Sequence, residues 1–180
     1  FPELIKKVKD IAIIDHHRPT SNVIDNPIFN GIDTSASSAS ELVTFYINYN
    51  QKEIPIDERT ATFLLSGICL DTHFYKEHAT TNTFEASAQL KNYHADSVKV
   101  TDFLKEELEE YRQKIAILNN SETPYYGCLI SVSPDSEIVS EVTLSIVANE
   151  AINIRGIFAS FCIGRIGEHD IKVSARSDGS

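Results

Sequence analysis

Short aliphatic runs alternate along this chain with stretches of helical period, and their order predicts an α/β protein. The first run, Ile11-Ala12-Ile13-Ile14, leads to the turn formers Arg18-Pro19-Thr20-Ser21-Asn22 and reads as a buried strand emptying into a loop. An irregular Asn/Pro/Gly-rich stretch then runs from Asn22 to Asp33. Ser38 and Glu41 have capping-box spacing and predict a helix to about Asn48, with Leu42, Phe45, Tyr46 and Tyr49 on one stripe. Pro55 and Asp57 open a second helix through Ala61, Leu64 and Leu65. Ile68-Cys69-Leu70 is a further apolar stretch, ending in Asp71-Thr72. Asn82 and Glu85 suggest another capping box before a helix through Ala86 and Leu90. From Asp96 a helical stretch runs to about Leu118, with Phe103, Leu104, Leu108 and Tyr111 as its apolar face. Its run Lys105-Glu106-Glu107-Leu108-Glu109-Glu110 reads as a solvated face.

The pattern changes at Asn119-Asn120-Ser121-Glu122-Thr123-Pro124, which reads as a linker. Beyond it, Tyr125 to Val132 predicts a strand. Ser136 to Ile152 predicts a helix carrying Val139, Val142, Leu144, Ile146 and Val147. Ile157–Ile163 and Asp170–Ser174 predict two strands joined by a turn at Gly167. The expected organisation is a domain over 1–118, a linker over 119–124 and a smaller α/β domain over 125–180.

At 42% hydrophobic and 23% charged, the chain can bury a real core. No stretch approaches a membrane span and no signal-peptide pattern opens it, so a cytoplasmic location is expected with no membrane contact from this segment. The net charge of −10 argues against binding long nucleic acid, which needs a basic track. A small phosphate ligand remains compatible, because bound metal ions can dominate the local field. Cys69, Cys128 and Cys162 sit in apolar runs without a C-x-x-C pair and read as buried thiols of a reducing compartment, not a zinc site.

The residues with the most chemistry follow the first strand: Asp15-His16-His17. Ligands gather at the carboxyl ends of strands in open α/β sheets, and one carboxylate with two imidazoles suits Mn, Fe, Co or Zn. Asp71 is a plausible second ligand to the same metal. Ser37 and Ser38 read as helix capping, although hydroxyl residues at a helix start also suit an anion. Arg176, in Ser174-Ala175-Arg176-Ser177, could fork onto a phosphate, and in isolation could equally form a surface ion pair. Arg18 could pair with an acidic neighbour. His73, His78, His94 and His169 have no spacing that ties them to a metal.

The stretches IIDHHRP (13–19), ASS-x-x-ELV (36–43), GICLDT (67–72), TFEASAQL (83–90), HADSVKVTDFLKEEL (94–108), IFASFCIGR and IKVSARS run colinearly along the chain. In this the chain resembles the DHH phosphoesterase superfamily, and within it the GdpP-type cyclic-di-AMP phosphodiesterases. The resemblance implies a DHH domain with a parallel-type sheet flanked by helices, then a DHHA1-like substrate-binding domain. It implies two Mn²⁺ ions, with His16 and Asp71 as ligands, His17 directed to the scissile phosphate and Asp15 behind the histidines as an orienter. His16 and Asp71 would then meet through adjacent parallel strand ends. Arg176, Ser174 and Arg18 are the implied substrate contacts. The partner is a small nucleotide, and a homodimer is compatible.

The family's early motif of one His and two Asp, its further bridging Asp and its GGGH motif have no counterpart here. The chain is therefore expected to be an internal portion of a longer parent, of a family type whose members are membrane-anchored, and to be inactive alone. Three functions compete: hydrolysis of cyclic-di-AMP, hydrolysis of short linear oligonucleotides or nucleotide monophosphate esters, and non-catalytic nucleotide binding.

Overall fold

The computed structural model describes residues 2–5, 7–19, 24, 26–50, 54–134 and 137–179. Thr20, Ser21 and Asn22 of the expected turn and Ser136, the expected helix start, lie outside them. The chain divides into two compact units, 1–105 and 106–180.

The first unit begins with a short helix α1 (Pro2–Ile5) and two parallel strands, β1 (Ala12–Asp15) and β2 (Phe29–Ile32), registered from Ala12↔Phe29 to Asp15↔Ile32. Strand β2 lies in the stretch expected to be irregular. Its Phe-Asn-Gly-Ile sequence has no apolar alternation to read, and its pairing with β1 defines it.

Four helices follow: α2 (Ala39–Tyr49), α3 (Glu58–Asp71), α4 (Thr81–Asn92) and α5 (Ser97–Phe103). Each starts on a side-chain oxygen that accepts an otherwise unpaired helix N–H: Ser38 from Glu41, Asp57 from Thr60, Thr80 from Thr83, and Asp96 from Val98 and Lys99. Two expected caps are corrected. The α4 box is Thr80 with Thr83, not Asn82 with Glu85. In α2, Ser38 caps as expected, but the Glu41 side chain bonds Ser37 and leaves the box half made.

The α3, α4 and α5 faces close a core of Ala61, Leu65, Ile68, Cys69, Ala86, Leu90, Ala95 and Val100. Each fully buried Ile or Leu there contributes about 1.5–3 kcal/mol. The stripe expected on α2 is not its buried face. Tyr46 and Tyr49 are exposed, whereas Glu41, Thr44 and Ile47 are buried. A periodicity reading follows apolarity and misses polar side chains that find partners inside.

The helix expected from Asp96 to Leu118 is two helices, α5 and α6 (Leu108–Asn119), with Leu104 ending the first. The unit boundary falls in this break. The acidic run is exposed as expected but straddles this break instead of forming one helix face, and Glu106 lies 3.0 Å from the buried Lys114 ammonium.

In the second unit, β3 (Ser121–Tyr125), β4 (Cys128–Val132), β5 (Ala159–Arg165) and β6 (Ile171–Ser177) form one sheet in that order, and α7 (Glu141–Ile152) connects β4 to β5. The pair β4–β5 is parallel and both flanking pairs are antiparallel. The strand expected over 125–132 is thus a hairpin, turning at Gly127 with φ +72°, where glycine carries no penalty. The segment 119–124, expected as a linker, contains the end of α6 and most of β3. Its polar residues are ordered by pairing, and Asn120 Nδ2 donates to the Val132 carbonyl at 2.9 Å. The core is Ile117, Val139, Leu144, Val147, Ala148 and Cys162. No helix among the described residues is long and apolar enough to cross a membrane.

Candidate functional site

Strand β1 ends at Asp15, and the Asp33 N–H donates to the Asp15 carbonyl at 3.0 Å, carrying the parallel pairing one step past β2. Both strands therefore release their chains at the same edge. One delivers His16 and His17 there, the other the loop Thr34–Ser37. The Asp33 carboxylate accepts from the Ser35 N–H at 2.9 Å and from the Ser35 hydroxyl at 2.6 Å, which fixes the start of that loop.

Asp71 arrives from a different kind of element. It is the last residue of α3, not a strand end, which corrects the expected pairing of two parallel strands. The stretch Ile68-Cys69-Leu70 belongs to a 14-residue helix whose apolar face includes Ala61, Leu65, Ile68 and Cys69. Even so, His16 Nε2 and Asp71 Oδ2 stand 3.6 Å apart.

The end of α3 is tightly built. Thr72 is fully buried; its hydroxyl donates to the Ile68 carbonyl at 2.7 Å and accepts the Tyr75 N–H at 3.0 Å. His73, Phe74 and Tyr75 follow with φ of 46°, 56° and 64°, three successive side-chain-bearing residues in the left-handed region. Such conformations cost of order 1–3 kcal/mol each and persist where surrounding contacts hold them. Here Tyr75 stacks on Phe84, with ring centroids 5.2 Å apart, and its hydroxyl donates to Ser87 at 3.0 Å.

His17 bonds Asp15 instead. Its Nδ1 lies 2.7 Å from Asp15 Oδ1, which also accepts the His17 N–H at 3.0 Å. The His17 amide first, and then its ring, hold the Asp15 carboxyl below the usual carboxylate range. The two imidazoles tilt against each other with centroids 4.3 Å apart, and Arg18 is exposed.

His16 and Asp71 open onto a cavity of about 410 Å³ lined also by Thr34, Ser35, Ala36, Ser37, His78, Ala79 and Thr80. Thr80, the N-cap of α4, is part of this lining, and Ser37 stands next to Ser38, the N-cap of α2. His78, for which sequence spacing offered no role, belongs to this lining. Its only local sign is a backbone φ of 54°, which spacing does not reveal. A larger hollow, about 740 Å³ between α3 and α5, is lined by Phe63 and Phe103, and its Lys99 and Glu58 pair with each other at 2.9 Å.

In the second unit Arg176 lies on β6. Its guanidinium donates to Ser145 Oγ at 2.7 Å and to the Ala175 carbonyl at 2.8 Å, which ties it to α7. Ser174 pairs in register with Cys162.

One imidazole nitrogen and one carboxylate oxygen at this separation suit neighbouring corners of a divalent-metal shell, whose bonds run about 2.0–2.2 Å. The described residues hold no group of three or more His, Cys, Asp or Glu that could close such a shell.

The family model for the DHH family, N-terminal domain, matches residues 2–68. The chain is 31% identical over 176 residues to the cyclic-di-AMP phosphodiesterase GdpP of Geobacillus thermodenitrificans, covering 98% of this chain and 27% of that protein. It is 31% identical over 114 residues to a probable manganese-dependent inorganic pyrophosphatase of Thermotoga maritima, covering 63% of this chain and 19% of that protein. The chain thus spans about a quarter of the length of the GdpP protein it matches. A crystal structure of an exopolyphosphatase-related protein from Bacteroides fragilis superposes with a TM-score of 0.80 at 18% identity, covering 98% of this chain and 53% of that one. That likeness concerns the fold. With the DHH triplet at a strand end, the match over 2–68 and a sequence similar to GdpP along its length, the chain belongs to the DHH phosphoesterase superfamily.

Proposed function

We propose that the intact protein is a cytoplasmic-facing, manganese-dependent phosphodiesterase that hydrolyses cyclic-di-AMP to a linear dinucleotide. The observation that carries this reading is the approach of His16 Nε2 to Asp71 Oδ2 over a pocket bordered by two helix N-termini. The likeness to GdpP supports the choice of substrate.

In this reading His16 and Asp71 hold metal, and further donors in the intact protein complete a two-ion centre. When bound, two Mn²⁺ ions would supply an activated water and charge neutralisation at the phosphoryl group. His17 meets that group. Asp15 holds Nδ1 and so leaves Nε2 to meet substrate. Ser37 and Thr80 present polar groups from the pocket walls. Arg176 grips a substrate phosphate with the N–H groups not spent on Ser145 and Ala175, with Ser174 and Arg18 in lesser contact roles. On the same reading the first unit is the later part of a DHH domain, and the second is the start of a DHHA1-like substrate-binding domain.

The test is side-by-side hydrolysis of cyclic-di-AMP and a linear dinucleotide by the Mn²⁺-loaded intact protein. Preference for the cyclic substrate is expected. Faster turnover of the linear one would move the protein to the oligonucleotide-degrading branch. Binding without hydrolysis of either would make it a nucleotide-binding module.

A further inference from the structure

Glu41 is a fully buried carboxylate in the first helix after the pocket loop, 2% exposed, and the chemistry proposed above makes no use of it. A plain capping box would send it to the Ser38 N–H. Instead its Oε2 collects three donors: the Ser37 N–H at 3.2 Å, the Ser37 hydroxyl at 2.6 Å and the Thr83 hydroxyl at 2.9 Å. Thr83 lies on another helix. Its Oγ1 in turn accepts the Thr80 N–H at 2.9 Å.

Ser37 and Thr80 both line the pocket that His16 and Asp71 enter, one at the end of the Thr34–Ser37 wall and the other at the end of the His78–Thr80 wall. A single carboxylate oxygen therefore sets where both walls stand. Burying a carboxylate is costly unless hydrogen bonds compensate it, and these three do so. A leucine or glutamine would fill the same space with less desolvation. What the carboxylate adds is charge-assisted bonding that draws two separate segments to one point.

We propose that Glu41 is a positioning residue that holds the two walls of the substrate pocket in register through Ser37 and through the Thr83–Thr80 relay. This rests on the reading of that pocket as the phosphodiester site. Glu41 touches neither substrate nor metal. Its effect reaches the substrate through the wall groups, so its loss falls on binding more than on turnover.

The experiment uses the intact Mn²⁺-loaded protein and four forms: wild type, Glu41→Gln, Thr83→Val and, as a comparator, Thr62→Val. Thr62 Oγ1 accepts the Asp96 N–H at 3.0 Å, an equally buried tie between α3 and α5 that lines none of this pocket. Thr83→Val is expected to raise KM for cyclic-di-AMP about fivefold to tenfold, the worth of one good hydrogen bond, with kcat and metal content close to wild type. Glu41→Gln should show the same split. Thr62→Val, at a comparable drop in Tm, should leave KM unchanged. A KM shift in Thr62→Val as large as in Thr83→Val would reduce the effect to general destabilisation and overturn the proposal.

Amide hydrogen exchange on the same proteins supplies a readout independent of catalysis. In Thr83→Val the Ser37 amide, which does not bond Thr83, is expected to exchange faster along with Thr80. An unchanged Ser37 amide would overturn the clamp itself. Coupled exchange in a protein that does not hydrolyse the substrate would leave the clamp standing and count against the functional reading alone.

Discussion

His16 Nε2 faces Asp71 Oδ2 at 3.6 Å, an imidazole at the end of a strand against a carboxylate at the end of a helix. The two ligand candidates approach from elements of different geometry, whereas the His17 ring bonds Asp15. On the function proposed above, this gives the adjacent histidines separate roles.

In the intact protein, His16→Ala and Asp71→Asn are therefore expected to weaken Mn²⁺ binding by at least about tenfold, since even groups behind metal ligands are commonly worth that much. His17→Ala should keep its metal. Calorimetric titration with Mn²⁺ checks this, and loss of metal from His17→Ala with retention in His16→Ala would reverse the assignment.

Kinetics separate His17 from Arg176. His17→Ala is expected to lower kcat by about 10²–10³, the usual worth of a group facing developing charge. Arg176→Lys loses the planar fork and should mainly raise KM. Steady-state cyclic-di-AMP hydrolysis at saturating Mn²⁺ distinguishes the two, and a KM effect for His17→Ala without a fall in kcat would place it with substrate binding.

Much of this arrangement was legible in the residues. The apolar run before Asp15, the cap residues Ser38, Asp57 and Asp96, and the two closing strands around Gly167 all signal through local chemistry that tertiary contacts leave in place. The illegible parts depend on partners distant in sequence. Strand β2 exists through its pairing with β1, and Glu41 reads as a cap until Thr83 is placed beside it. Asp71 reads as a strand end in sequence because a short apolar run before an Asp fits either element. The 14-residue span from the Asp57 cap decides for helix.

Thr72 supports Asp71 without touching the pocket. Thr72→Val keeps the shape but removes a donor to Ile68 and an acceptor for the Tyr75 N–H. Urea unfolding is expected to show a loss of about 1–3 kcal/mol, the cost of leaving buried polar groups unpaired. A loss within error of zero would mean that Tyr75 finds another acceptor.

Acid should destabilise the protein only at low pH. Besides Asp15, hydrogen bonds hold three carboxyls below their ordinary range: Asp33 through the Ser35 hydroxyl, Asp57 through the Thr60 N–H and Asp96 through the Lys99 N–H. Their folded values lie below the unfolded value of about 3.9, so their stabilisation is complete above it and disappears as pH falls through the folded values. Tm should stay level from these groups between about pH 7 and 5 and then drop. Asp57→Ala should lower the plateau and shallow the drop; a fall starting near pH 6 would point to other groups.

Burial pushes the Cys162 thiol up to about 11 and raises the Cys69 thiol, while Cys128 is partly exposed. Thiol titration of the native protein at pH 8 should therefore modify Cys128 first, with Cys69 and Cys162 reacting on unfolding. Rapid modification of Cys162 in the folded state would contradict its placement in the core.

A ligand on a helix end is clocked by residue count. One residue inserted between the Asp57 cap and Asp71 would turn the carboxylate by about 100° around the α3 axis and move it about 1.5 Å along it. Such a change would aim Asp71 away from His16 even if every core contact were rebuilt. The three left-handed residues after Thr72 leave little slack to absorb the error from the other side. The length of α3 is thus itself a determinant of the site, so deletions and insertions within Glu58–Asp71 should be tolerated far less well than substitutions on its exposed face.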